Sequence, residues 1–253
     1  MPKNDLNFIS RKDLLRHVKE TVGKYRFDIS LKDFNRNLVD PIKFSFDAAV
    51  YGKTVEEMIE TEIIRQIDKS NTNHIGYFHQ NIFKFIGNGW EVLEKGYDVV
   101  NVERKIYVEM KNKHNTMNSS SSQKTYIKMQ NTILRDDDAT CLLVEVIAKG
   151  SHDRKWTVSV DGEQMSHRNI RRVSIDKFYQ LLTGDAQAFF KLCQILPSVI
   201  TEAVSDLEIC NIESSVLQEL EGRSSDLLES LYLLAFEKYE GFGVRVGSGS
   251  PHE

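Results

Sequence analysis

Apolar residues recur at helical spacing toward both ends of this chain and at strand spacing through its middle. Ser10 and Asp13 form a capping-box start, and Leu14, Leu15, Val18 and Val22 supply the apolar stripe of a first helix. The mixed segment Asp28–Ala48 predicts short helical turns and loops. Thr54 with Glu57 repeats the capping signature and opens a stronger helix to about Lys69. Asn73 can cap another, running to Ile86 and stopped by Gly87.

The period then changes. Trp90–Leu93, Tyr97–Asn101 and Lys105–Asn112 read as three strands separated by short turns. Asn115–Ser122 is polar, with four successive serines, and predicts a flexible loop ahead of a helix from about Ser122 to Leu134. Ala139–Ala148 is apolar enough for the centre of a sheet. Trp156–Val160 and Arg168–Ser174 predict an outer hairpin around Asp161-Gly162. Ser174 caps a helix to Leu182, Gly184 ends it, and the remainder reads as helical with Pro197 as an interruption. This order, α then β then α-β then α, predicts a mixed α/β fold with a mixed central sheet flanked by helices.

No run approaches ~18 apolar residues, so nothing predicts a membrane span, and the N-terminus lacks a secretory pattern. Cys141, Cys193 and Cys210 show no metal-ligand spacing and read as reduced structural thiols of a cytoplasmic protein. The net charge of −4 argues against a nucleic-acid partner only if it is spread evenly, and it is not. Residues 200–240 carry ten acids against two bases, a balance of −8 that leaves the rest of the chain at +4. Bases concentrate in Glu103–Lys128 (six against two acids) and Lys149–Arg172 (six against three). A local basic surface decides whether phosphates bind.

Chemistry points to the middle of the chain. On a strand, Glu109 and Lys111 project to one face, and a hairpin can return Asp98, eleven residues earlier, alongside Glu109. Two carboxylates make a hard-oxygen site for Mg²⁺, and an adjacent lysine can polarise or deprotonate a water, the combination that phosphodiester hydrolysis needs. The plain alternative is a solvent-facing strand of alternating charge. Against it stand the apolar flanks Val99, Val100, Ile106 and Val108, which make these strands interior.

On the upstream helix, Glu62 falls at the rim of the face formed by Val55, Met58, Ile59, Ile63 and Ile67, where a carboxylate needs a metal, a base, water or an outward path. His79 shares a stripe with Ile75, Phe78, Ile82 and Ile86 and reads as a core histidine. Lys113, His114, Asn115, Asn118, Ser119, Ser120, Ser121, Ser122, Gln123 and Lys124 follow the Glu109 strand and supply donors for phosphates or base edges. Arg168, Arg171 and Arg172 form a second basic cluster, with a solvated face as its alternative.

These residues resemble the PD-(D/E)xK nuclease core. Three longer strings narrow the likeness: Ile64-Arg-Gln-Ile-Asp-Lys-Ser with Ile75-Gly-Tyr-Phe-His-Gln, Tyr107-Val-Glu-Met-Lys-Asn-Lys-His-Asn-Thr-Met-Asn followed by the four serines, and Ile170-Arg-Arg-Val-Ser. They are similar to type II restriction endonucleases that cleave GGNCC or GGWCC, over about residues 6–200. The resemblance implies a restriction-endonuclease-like fold, a homodimer, Mg²⁺, a palindromic site in double-stranded DNA, a bacterial cytoplasmic setting and a cognate DNA methyltransferase that protects host sites. It implies that Asp98 and Glu109 ligate Mg²⁺, that Lys111 positions or activates water, and that Glu62 is the helix-borne acid. Tyr97 stands where the motif name has proline.

The expected organisation is an endonuclease domain over 1–200, an acidic helical extension over 201–240 packed on the core or on a dimer partner, and a linker-like tail over 241–253. The rival readings are another nuclease on the same fold, for repair or structure-specific cleavage, and a DNA-binding protein without catalysis.

Overall fold

The computed structural model describes residues 6–114, 116–205 and 213–236. Asn115, Cys210 and the tail expected over 241–253 lie outside them. Described residues within 1–24 and 73–207 form one compact unit, and those within 25–72 and 208–253 form a second.

The first unit is built on a six-stranded mixed sheet. In chain order its strands are β2 (Trp90–Val92), β3 (Val99–Asn101), β4 (Ile106–Lys113), β5 (Thr140–Ile147), β6 (Asp153–Val160) and β7 (Glu163–Ser174), in spatial order β2-β3-β4-β5-β7-β6. The hairpins β2–β3, β3–β4 and β6–β7 are antiparallel, whereas β4–β5 and β5–β7 run parallel. β5 lies between two parallel neighbours, which explains its nearly unbroken apolar run. Asp161 and Gly162 turn the β6–β7 hairpin with φ of 51° and 91°, the positive values that an Asp-Gly turn supplies.

Helices cover both faces. Helix α5 (Ser119–Arg135) packs Tyr126, Met129 and Ile133 against Val100, Cys141, Leu143, Trp156 and Ile170. The opposite face, with Val99, Val108, Leu142, Val144 and Val173, is covered by α1 (Arg11–Val22), Phe78, Ile82 and Phe83, α6 (Ile175–Thr183) and α7 (Ala188–Val204).

The second unit buries Phe34, Phe44, Ile59, Ile63, Ile67, Val216, Leu220 and Leu231 in a core of its own. Its elements are β1 (Asp28–Ile29) paired in parallel with β8 (Glu213–Ser214), α2 (Leu31–Asn35), α3 (Pro41–Tyr51), the first part of α4 (Val55–Asn81), α8 (Val216–Glu221) and α9 (Leu227–Phe236). Among the described residues no helix is long and apolar enough to cross a membrane.

Four expectations about elements need correction. α4 is one 27-residue helix with no break at Asn73, followed by a 3-10 turn over Ile82–Phe85. An Asn can cap only where the chain leaves helical geometry, and residues 69–72 contain no Pro or Gly to force that. Asp28–Ala48 contains, besides turns, most of the 11-residue helix α3, which runs on to Tyr51. Asp40 caps it by accepting from the Ile42 and Lys43 amides at 3.0 and 3.1 Å, and Pro41 sits in the first turn, where its missing N–H costs nothing. The four serines form the first turn of α5, capped by Asn118, which accepts from the Ser121 amide at 2.8 Å. Pro197 lies inside α7 and does not interrupt it. The ~3 kcal/mol that an interior proline costs is outweighed by the buried stripe Ala188, Leu192, Ile195, Val199 and Ala203.

Candidate active site

The β3–β4 hairpin brings the sequence-predicted carboxylates together. Val99 pairs with Val108, and one residue earlier the Asp98 amide donates to Val108 O at 2.9 Å, which sets Asp98 opposite Glu109. The Asp98 carboxylate accepts from the Met110 amide at 2.7 Å, so its side chain continues the ladder where the strand pairing ends. Gln80, near the end of α4, donates to Asp98 O at 3.3 Å. A cavity of about 380 Å³ lined by Tyr77, Gln80, Lys84, Leu93, Lys95 and Asp98 opens beside it.

Glu109 points to the α5 side and is only 8% exposed. Burial pushes its carboxyl above the usual range, and the nearby Asp98 charge adds to that. Lys128 and Lys111 pull the other way without reversing the shift. Lys111 Nζ stands 3.8 Å from Glu109 Oε2. Lys128, on α5, forms an ion pair with Glu109 Oε1, donates to Gly96 O at 2.6 Å and lies 4.1 Å from the Tyr97 ring centroid. Two carboxylates and two ammonium groups thus meet on one face of the sheet.

The arginine cluster divides into three roles. Arg172 is tied to Glu145: its Nε donates to Oε1 at 2.7 Å, and its Nη2 donates to that carboxylate and to His114 O, the latter at 2.9 Å. Glu145 is 1% exposed, and His114 Nδ1 lies 3.0 Å from both its oxygens. Burial alone would raise the Glu145 carboxyl, but Arg172 and His114 outweigh it and hold it below the usual range. Glu145 pairs in register with Lys111, so this buried network sits on the strand next to the catalytic candidates. Arg171 donates to Asp153 Oδ1 at 2.6 Å and to its carbonyl at 3.0 Å. The Arg168 side chain is exposed, with no hydrogen bond or ion pair among the described residues.

Other donors are placed as follows. Lys113, Ser119, Ser120, Ser121 and Lys124 are exposed, with Ser122 half-buried. Gln123 donates to Ser159 O at 3.0 Å. Ser122, His114 and Arg172 line a pocket of about 340 Å³ with Met117 and Trp156.

Glu62 lies in the second unit. Arg65 Nε and Nη2 donate to it at 2.5 Å each and Gln66 Nε2 at 2.9 Å, so its half-buried carboxylate has the base that burial requires. Burial would raise it, but these bonds hold it below the usual range. His79 is half-buried; burial first and His17 second push it down to about 4, and among the described residues its buried Nδ1 has no partner.

Sequence reasoning did not single out Lys128, Gln80 or Glu145. Glu145 carried a signal, a lone charge inside the apolar run Cys-Leu-Leu-Val-Glu-Val-Ile. Lys128 carried none, because its approach to Glu109 depends on how α5 docks on the sheet.

Residues 6–205 match the family model of the Eco47II restriction endonuclease. The chain is 28% identical over 215 residues to the type II restriction enzyme Sau96I of Staphylococcus aureus, covering 80% of this chain and 82% of that one. It is 30% identical over 214 residues to the type II restriction enzyme Eco47II of Escherichia coli, covering 79% and 89%.

Proposed function

The chain belongs to the Eco47II restriction endonuclease family, and we propose that it cuts both strands of a short GGNCC- or GGWCC-type palindrome with Mg²⁺ as cofactor. It is a type II restriction endonuclease, acting on DNA; the site, the metal and the residue roles are our reading. The observation that carries them is the opposition of Asp98 and Glu109 across the β3–β4 hairpin, with Lys111 on the same face.

The residues fit a divalent ion. Mg²⁺ is held through one or two carboxylates and keeps several waters, and among the described residues no third carboxylate or imidazole joins this pair. The site also favours positive charge, since an ammonium group already rests on Glu109. Asp98 and Glu109 would hold the ion, whose chemistry when bound is neutralisation of charge on the scissile phosphate. The Met110 amide fixes the Asp98 carboxylate, and the β4 backbone fixes Glu109. Lys111 orients a water for attack and supplies positive charge to the phosphate. Glu62 is kept as the helix-borne acid by resemblance alone.

Among the basic candidates, exposed Lys113, Lys124 and Arg168 are free to meet DNA, and Arg168 is the guanine-reading candidate because bidentate arginine reads guanine in the major groove. A palindrome presents two identical halves, so the cut of both strands calls for a twofold dimer. A cognate methyltransferase would protect the same sequence in a host and need not bind this chain.

Digestion of a sequenced plasmid with Mg²⁺, followed by mapping of the ends, tests the reading. Discrete fragments ending within one GG…CC sequence are expected. Nicks, a smear, or fragments ending at an unrelated sequence would overturn it.

A further inference from the structure

The geometry points to Lys128 as a resident cation of the active site, one that competes with a divalent metal for Glu109. The inference rests on the assignment of Asp98 and Glu109 as metal ligands and adds a residue that controls how readily they load.

Lys128 is held as a cation would be. Its ammonium reaches a carboxylate oxygen of Glu109, the carbonyl oxygen of Gly96 at 2.6 Å and the face of the Tyr97 ring at 4.1 Å. Charged oxygen, carbonyl oxygen and aromatic face are three acceptors of positive charge. The ring is itself anchored, since Tyr97 is buried and its hydroxyl lies 2.8 Å from Thr132 Oγ1, one turn along α5 from Lys128. Tyr97, the residue that departs from the motif's proline, therefore forms one wall of the lysine cradle.

Metal and lysine compete for one carboxylate. Lys128 takes Glu109 Oε1, and Lys111 stands 3.8 Å from Oε2. A divalent ion ligated by Glu109 would meet an ammonium in direct contact with the same group, and like charges at such range repel strongly in a half-buried site. Lys111 is far enough away to remain. Lys128 is not, so its pair with Glu109 and metal ligation oppose each other. Metal affinity is lowered by the strength of that pair; an anion that draws Lys128 away raises it, and metal then raises the affinity for that anion by the same factor.

The test is direct binding of Mn²⁺ to the full chain without DNA, read from the electron paramagnetic resonance of the free ion. K128M, which keeps the stem and removes the charge, should bind Mn²⁺ roughly tenfold more tightly than the wild type, the effect expected of losing one charged hydrogen-bonded competitor. K128R, which keeps the charge, should bind like the wild type. A second measurement needs no variant: the rate of reductive methylation at Lys128, read by peptide mass, should rise when Mn²⁺ is added. Unchanged or weaker binding by K128M, or a methylation rate that stays level or falls with metal, overturns the inference. The D98A/E109A protein separates the two levels. If it binds Mn²⁺ as the wild type does, the site assignment falls and the inference with it. If it loses binding while K128M shows no gain, only the inference falls.

Discussion

Arg172 lies in a basic cluster that the sequence offers as a DNA reader, yet its guanidinium is spent inside the protein, and Arg172→Ala measures the difference. Its side chain is 22% exposed against 1% for Glu145, so the pair is largely screened from water. Removing the guanidinium leaves Glu145 with His114, whose ring lies 3.0 Å away, and with His152 at 3.5 Å. Breaking a buried pair from one side costs ~3–5 kcal/mol, and the remaining imidazoles place this case near the lower end, about 3 kcal/mol. For a chain of 253 residues that is a fall in Tm of roughly 6–12 °C. The pH dependence has a definite sign. The Glu145 carboxyl is held below its ordinary 4.5, so its stabilisation is present above that value and is lost as pH falls through the folded-state value. Without Arg172 the buried charge loses its main partner, and the deficit should widen from pH 5 toward neutrality. Urea unfolding of R172A at several pH values checks this. A change within ~0.5 kcal/mol of wild type, the range of an ordinary surface substitution, would show that the network bears no load.

Arg168 and Lys113 should part in binding: Arg168→Ala should cost ~1–3 kcal/mol and relax sequence preference, while Lys113→Ala should weaken all sequences alike and flatten the salt dependence, both read by fluorescence anisotropy on cognate and scrambled duplexes. Equal affinity and preference in R168A would make it a solvated residue. Because burial and Asp98 raise the Glu109 carboxyl above its ordinary 4.5, Mn²⁺ binding and cleavage should both fail on the acid side at a pH above that value, and an acid limb below it would contradict the environment described here. Sedimentation of the DNA-bound protein should give two chains per duplex, and full-rate cutting of both strands by a monomer would refute the twofold arrangement.

The catalytic candidates were legible in sequence because their geometry is local. A period of two places Glu109 and Lys111 on one face, and a short hairpin can only return Asp98 beside them. The Asp-Gly turn, the apolar β5 run and the caps at Ser10 and Gly184 were legible for the same reason. The signal for α3 was present too, in Asp40 before Pro41 and in Gly52 after Tyr51, but it lay in a segment whose mixed polarity hid the stripe. What failed at Pro197 was local propensity set against continued burial on either side, and at Asn73 a cap residue with nothing before it to force the chain out of the helix. Lys128 and the Arg172–Glu145 pair were out of reach, since both depend on which strand or helix docks beside β4. Periodicity offers Arg172 to solvent; only the strand order shows a buried glutamate on the neighbouring strand, two residues beyond its register partner Leu143.

The central claim is that Asp98 and Glu109 hold the metal for DNA hydrolysis. Its most direct test is plasmid cleavage with Mg²⁺ by D98A and E109A, with duplex binding and thermal unfolding measured on the same preparations. Both variants should stay folded and bind the cognate duplex nearly as the wild type does, while cleavage disappears, because metal ligands contribute to chemistry more than to docking. A folded D98A or E109A protein that cuts at close to the wild-type rate would contradict the account.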